Sequence, residues 1–387
     1  MVLLLGSMAL SHGFAQGFTS GSDESYGALT ITNNTTLDLP ANGIYNCTTI
    51  NIAQGATLTF RRNPLNTPVY LLASGNVVIN GNIDVSGYNS SDSIPDGGTG
   101  GPGGFDGGKP GFGAVPPGNG YGPGGGKPGN EDRNNAGHAG AGSYGNQPGS
   151  YLTANDGPVY GSPLLIPLIG GSGAGGTIGQ PGRGGGGGGG AILIASTTRI
   201  DIGSAGKVVA RGGGAREASY NYQVNNGSGG GIRLVAPDIA GTGTLDVRGG
   251  HHDWAGHGRI RVDSIRRTAL QFNFSPASVT SVGSTMLVFP TPLPRLDIVE
   301  AAGQVIAEGS GPVYVQLPYN SPTNQTVKVQ AKNFDGVVPI RVMLTPDNGA
   351  QSFYDVSIDN RAANPATTTV NVNMPVNVQV TVHAWTR

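Results

Sequence analysis

Short bursts of apolar and polar residues alternate along most of this chain. Leu29-Thr30-Ile31, Leu37-Asp38-Leu39, Ile50-Asn51-Ile52 and Leu58-Thr59-Phe60 each follow a period of two, the mark of a strand with one buried face. Further on, a longer unit recurs in fixed order. Its first copy is Leu71-Leu72-Ala73-Ser74, Val77-Val78-Ile79 and Gly81-Asn82-Ile83-Asp84-Val85-Ser86-Gly87. The second is Leu193-Ile194-Ala195-Ser196, Ile200-Asp201-Ile202 and Gly206-Lys207-Val208-Val209-Ala210-Arg211-Gly212. The third is Leu234-Val235-Ala236-Pro237, Ile239 and Gly243-Thr244-Leu245-Asp246-Val247-Arg248-Gly249.

Each copy is about 20 residues long, the length of one circuit of a stacked repeat, and strands this short bury their apolar faces only by stacking. The expected fold is therefore all-β, a short parallel β-helix in which Ile83, Val208 and Leu245 share one interior column and Val85, Ala210 and Val247 the next. Arg259-Ile260-Arg261-Val262 would begin a last turn of it. An antiparallel sandwich also accommodates such alternation; the fixed order of the recurring pieces favours the stack.

All three copies end in glycine, before insertions that would leave from one corner and form a shared loop face. The first insertion, at 88–190, is far longer than ordinary connections and holds most of the chain's glycine: 38 of 69 lie between residues 91 and 190. Glycine with proline and no strict triplet period excludes collagen and favours extended, polyproline-like or irregular backbone. Disorder is the default for such composition. Against it stand apolar anchors such as Val159-Tyr160 and Leu164-Leu165-Ile166, and the seven glycines at 184–190, which allow backbones to approach closely.

From about Leu293 the glycine thins out and strand-like segments recur at sandwich spacing, among them residues 296–299, 313–317, 326–331, 340–344, 354–358, 369–372 and 378–382. The expected divisions are a signal peptide at 1–15, β-helix turns at 16–87, the glycine-rich insertion at 88–190, further β-helix turns at 191–290, and an immunoglobulin-like β-sandwich at 291–387. The apolar start, with Ala15 before Gln16, reads as a secretory signal. No stretch of about 18 apolar residues exists to span a membrane.

Charge and chemistry narrow the function. A net charge of −1 with 12% charged residues removes the electrostatic footprint of a nucleic-acid binder. The single cysteine, Cys47, rules out an internal disulfide and reads as a small buried apolar side chain. Acid/base hydrolysis of a polysaccharide would need paired carboxylates, but the aligned outward positions are Asp84, Val209 and Asp246, an interrupted row read as solvated. A calcium-assisted lyase would need the loop acids Asp106, Glu131, Asp132 and Glu217 to converge. His251, His252, Asp253 and His257 form the sharpest cluster, yet their spacing matches no zinc motif. Trp254, with Tyr220 and Tyr222 of the preceding loop, would make an aromatic platform for a sugar ring. Arg211 and Arg248 occupy equivalent positions and would need partners, with Glu217, Asp253 or a ligand carboxylate as candidates. These nine residues are the ligand-binding candidates; no catalytic residue, metal or cofactor is assigned.

The order of parts, with Ala191-Ile192-Leu193-Ile194-Ala195 following the glycine run and Gly258-Arg259-Ile260-Arg261-Val262 preceding the sandwich, resembles a group of uncharacterised secreted glycine-rich bacterial proteins. The resemblance implies export and a β-helix-like body and transfers no activity. The expectation is a noncatalytic, secreted structural or cell-surface protein that associates with itself into filaments or matrix. The alternative is a protein that binds or degrades polysaccharide through the corner loops.

Overall fold

The computed structural model describes residues 17–91, 96–129, 138–149, 154–178, 183–214, 226–250 and 254–387. The expected signal peptide at 1–15 lies outside them. The chain is almost entirely β, with large parallel sheets, one of them curled into a half-barrel, and the described residues contain no α-helix.

Sixteen strands build the first body. They are β1 (Gly27–Ile31), β2 (Thr35–Asp38), β3 (Ile44–Ile52), β4 (Thr57–Arg61), β5 (Val69–Ala73), β6 (Val77–Ile79), β7 (Asn82–Asp84), β8 (Ala191–Ser196), β9 (Arg199–Ile202), β10 (Lys207–Val209), β11 (Gly231–Val235), β12 (Asp238–Gly241), β13 (Thr244–Asp246), β14 (Arg259–Asp263), β15 (Asn273–Ser275) and β16 (Thr280–Gly283). Every pairing among them is parallel. One ribbon runs β3-β5-β8-β11-β14-β16, a second β1-β3-β6-β9-β12, and a third β2-β4-β7-β10-β13-β15. The first two join into a ten-stranded sheet because β3 is long: its residues from Ile44 pair with β5, and those from Ile50 pair with β6. From β4 to β14 every third strand in sequence is thus a neighbour in space, as the recurring unit requires, while towards either end the step shortens to two.

Register follows the repeat. Ile83, Val208 and Leu245 are direct Cα partners on β7, β10 and β13, and all three are fully buried beside Val85, Ala210 and Val247 in one continuous apolar cluster. Cys47 belongs to that cluster, and burial raises its thiol pKa to about 11. β8 and β11 are buried on both faces. Their inner side chains enter the main cluster, while Leu193, Ala195 and Val235 form a second one beneath Phe18, Tyr70, Met286, Val288 and Phe289. Within that cover the carboxylate of Asp263 joins two guanidiniums, Arg261 at 2.6 Å and Arg233 at 3.4 Å. Asp263 also accepts a hydrogen bond from the Thr285 amide, and Arg233 donates to the Leu287 carbonyl at 2.6 Å. This network clamps the segment after β16 onto the sheet.

The described part of the glycine-rich insertion is ordered, and main-chain hydrogen bonds hold it. Residues 170–177 form its axis. The amides of Gly171, Ala174 and Thr177 donate to the carbonyls of Gly189, Gly186 and Arg183, while those of Gly173 and Gly176 donate to Tyr121 and Gly118. The carbonyls of Gly171, Ala174 and Thr177 accept from Phe105, Gly108 and Gly111, and those of Gly173 and Gly176 accept from Gly126 and Gly129. Partners recur every third residue, the period of a polyproline II helix. Gly140 and Ser228 complete the ring, so six segments surround the axis. Glycine is required by contact: a Cβ on Gly188 would collide with the Gly171 carbonyl, and one on Gly126 with that of Gly140. The default of disorder fails here because paired amides and carbonyls replace an apolar core.

The second body holds β17 (Arg295–Ala301), β18 (Gln304–Val305), β19 (Asn324–Lys332), β20 (Val337–Pro346), β21 (Ser352–Asp359), β22 (Ala366–Asn373) and β23 (Val380–Thr386). Antiparallel sheets of order β18-β17-β19-β22 and β21-β20-β23 contribute to one apolar cluster. The strand expected at 313–317 is absent: those residues are mostly exposed and outside both sheets. This body meets the glycine block through Asp347, which accepts from Lys109 at 2.6 Å and from the Tyr121 hydroxyl at 2.9 Å. Phe105 meets Trp385 edge-on at 5.2 Å, so Trp385 packs.

Candidate functional site

The corner at the ends of β7, β10 and β13 is the place from which the three insertions depart. Successive exits lie side by side, since the Gly87 amide donates to Arg211 and the Gly212 amide to Arg248. Beyond the exits the three paths enter the glycine block, where Gly213 donates to Gly187, Gly227 to Gly213 and Gly250 to Gly227.

At this corner a polar strip faces outward. Asp84, Val209 and Asp246 are in register on their parallel strands. The expectation that the aspartates are solvated needs correction, because Asp246 is only 6% exposed. Residues i and i+2 of an extended chain project to the same side, which brings the guanidinium of Arg248 onto Asp246, with Nη2 at 2.6 Å and Nε at 3.0 Å. Arg211 approaches the same carboxylate from the neighbouring strand at 3.9 Å. The shared partner of the two arginines is thus Asp246, a residue of the stack itself; Glu217 and Asp253, the partners expected from sequence, lie outside the described residues. Asp84 plays the local turn role instead: it accepts from the Ser86 amide, and the Ser86 hydroxyl accepts from the Arg211 amide.

Of the other candidates, Tyr220, Tyr222, His251, His252 and Asp253 lie outside the described residues. His257 is buried in the glycine block: its Nδ1 accepts from the Gly249 amide, and its own amide donates to Asn146 at 2.6 Å. Trp254 is half-buried. Among the loop acids, Asp106 is taken by Arg62, at 2.6 and 3.1 Å, and by the Gly100 amide; Glu131, Asp132 and Glu217 lie outside. Among the described residues no group of three or more His, Cys, Asp or Glu stands ready to hold a metal ion.

No family model, curated protein or solved structure matches this chain.

Several contacts that organise the region escaped sequence reasoning. Tyr144 and Tyr160 stack at 4.6 Å inside the block, with the Arg259 guanidinium 5.5 Å from the Tyr144 ring. Burial lifts both phenols above their usual range, and the Tyr160 hydroxyl donates to the Gly170 carbonyl at 2.6 Å. Asn66 also reaches the block, donating to Gly104 and accepting from Gly103. Tyr160 and Asp106 had been picked out, one as an apolar anchor and the other as a loop acid, but without these partners. Asn66 and Arg259 carried none, because their partners are backbone carbonyls and amides of distant segments.

Proposed function

We propose that this chain is a noncatalytic extracellular structural or cell-surface protein, in which a parallel β-helix carries a rigid polyglycine block and an immunoglobulin-like sandwich, and which associates with further copies of itself. The observation that carries the reading is the six-neighbour ring around residues 170–177. A block knitted amide to carbonyl, with its interior glycines in contact, is stiff and low in charge, as a structural element would be. The reading is strengthened by the corner, where Asp246 and Asp106 are each held by arginine. Free strand edges at the ends of the parallel ribbons supply the means of association. Electron microscopy of the purified protein should show regular assemblies; only dispersed monomers at high concentration would overturn the assembly part of the proposal.

A second reading, recognition of an acidic polysaccharide, is favoured by one feature: Arg211 and Arg248 lie side by side at the corner with 40% and 39% of their side chains exposed. Retention on an immobilised acidic polysaccharide that is lost in Arg211→Ala and Arg248→Ala would raise it above the first.

A further inference from the structure

Residues 311–317 do what no other apolar stretch of the second body does. Their sequence, Gly-Pro-Val-Tyr-Val-Gln-Leu, alternates as a strand, yet no backbone hydrogen bond joins them to any described segment. Val313 is 47% exposed and Tyr314 87%, with Tyr319 at 92% just beyond. A strand-like segment with both edges unpaired and its large side chains in water is a partner without a sheet.

The complementary feature lies opposite. β23 is the edge of its sheet, so every second amide and carbonyl along it points away from β20. Residues 295–298 of β17 are likewise open on the side away from β19, since β18 covers Glu300 and Ala301 and the Ile306 amide donates to the Val299 carbonyl. Between these two edges and the 312–318 strap lies a cleft of about 1610 Å³, walled by residues 378–385 and by Leu296 and Ile298. It exceeds the roughly 300–1,000 Å³ typical of small-molecule pockets, and its long wall is a strand edge. The strap does not fill it, because its ends are held: Gly311 lies against the Leu65 side chain of the first body, and Pro318 accepts from the Ser321 amide and hydroxyl.

We propose that the cleft is a strand-acceptor groove whose occupant is the 312–318 strap of a second copy, exchanged reciprocally between two chains. The added strand would extend the β21-β20-β23 sheet by main-chain bonds, with alternate side chains entering the apolar gap beside Leu296, Ile298 and Val382. The proposal rests on the self-association reading and adds to the ribbon edges a second contact, which closes two chains into a dimer. The 315 amide makes no hydrogen bond in the single chain, so proline there removes none of its bonds while deleting a donor from the exchanged strand.

Sedimentation of the full chain from about 1 to about 100 µM tests it. Wild type is expected to approach twice the monomer mass across this range, Val315→Pro to weaken association by at least about 30-fold with an unchanged melting curve, and Val315→Thr to retain it. Self-association that is equally strong in Val315→Pro and in Val315→Lys overturns strap exchange and leaves the assembly reading standing. A monomer at every concentration overturns both, as does a monomer whose 313–317 amides are protected from hydrogen exchange, which would mean that the strap closes on its own β23.

Discussion

Substituting Gly188 by alanine separates a packed glycine block from a loose one by the sign of the effect. In a flexible segment, alanine for glycine is neutral or stabilising by about 0.4–1 kcal/mol, because it restricts the unfolded chain. In the block the methyl group would meet the Gly171 carbonyl oxygen and the Ser172 amide of the axial segment. These are backbone atoms that cannot rotate aside. Overpacking of this kind costs about 1–3 kcal/mol. The displacement would also stretch two bonds, Gly188 to Phe105 at 2.8 Å and Gly101 to Gly188 at 3.0 Å, each worth about 1 kcal/mol. The expected loss is therefore about 3–5 kcal/mol. Gly17 is the control: a Cβ there meets nothing within 4 Å, and Gly17→Ala should fall within about 0.5 kcal/mol of wild type. Denaturant titration gives the magnitude, and amide exchange at Gly171, Ala174 and Gly185 locates it. A Gly188→Ala protein as stable as wild type, with those amides still protected, would refute the packing argument.

Three further outcomes are expected. Asp263→Ala would leave the guanidiniums of Arg233 and Arg261 buried without their shared carboxylate, and should cost about 3–5 kcal/mol, read as a fall in melting temperature; an unchanged melt would contradict the clamp. Arg62→Ala should cost no more than about 1 kcal/mol in global stability, since the pair it makes with Asp106 is partly exposed, while accelerating exchange at the Gly100 amide that Asp106 also holds. Burial lowers the His383 pKa from 6.5 to about 4, so the unfolded chain binds its proton first as pH falls. Stability from this group is complete above about pH 6.5 and lost between there and about pH 4, by roughly 3 kcal/mol in all; His383→Gln should flatten that part of the melting-temperature profile, and a profile identical to wild type would refute the assignment.

The parallel stack was legible because its information is local and repeated. Ile83, Val208 and Leu245 each sit at the centre of a short alternating run flanked by glycine, so aligning the runs gave the register that the strands adopt. Residues 313–317 misled for the same reason: alternation specifies a willingness to pair, and pairing also needs a neighbour, which this chain does not place there. The cover over the outer faces of β8 and β11 was not legible, because Phe18 and Val288 come from far along the chain. The corner was half legible. Sequence placed Arg211 and Arg248 together and called for a counter-charge, but burial of Asp246 depends on two side chains folding over it, which no periodicity encodes.

Glycine content set the hardest test, because composition pointed to disorder while order was carried by a term that composition does not register. Fixing one residue's backbone costs roughly 1–2 kcal/mol, glycine more than others, and a main-chain hydrogen bond returns about 1 kcal/mol net. A bundle held by such bonds alone is at best marginal, so it has to be clamped from its borders. The clamps are visible: Arg62 on Asp106 and Asn66 on Gly103 and Gly104 from the β4–β5 connection, the Tyr144–Tyr160 stack under Arg259, and Lys109 with Tyr121 on Asp347 of the second body. Each joins the block to a unit with its own apolar core. The parallel sheets and the second body therefore do more than flank the glycine block; they supply the ordering free energy that its hydrogen bonds lack, and loosening either should release the block before either core melts.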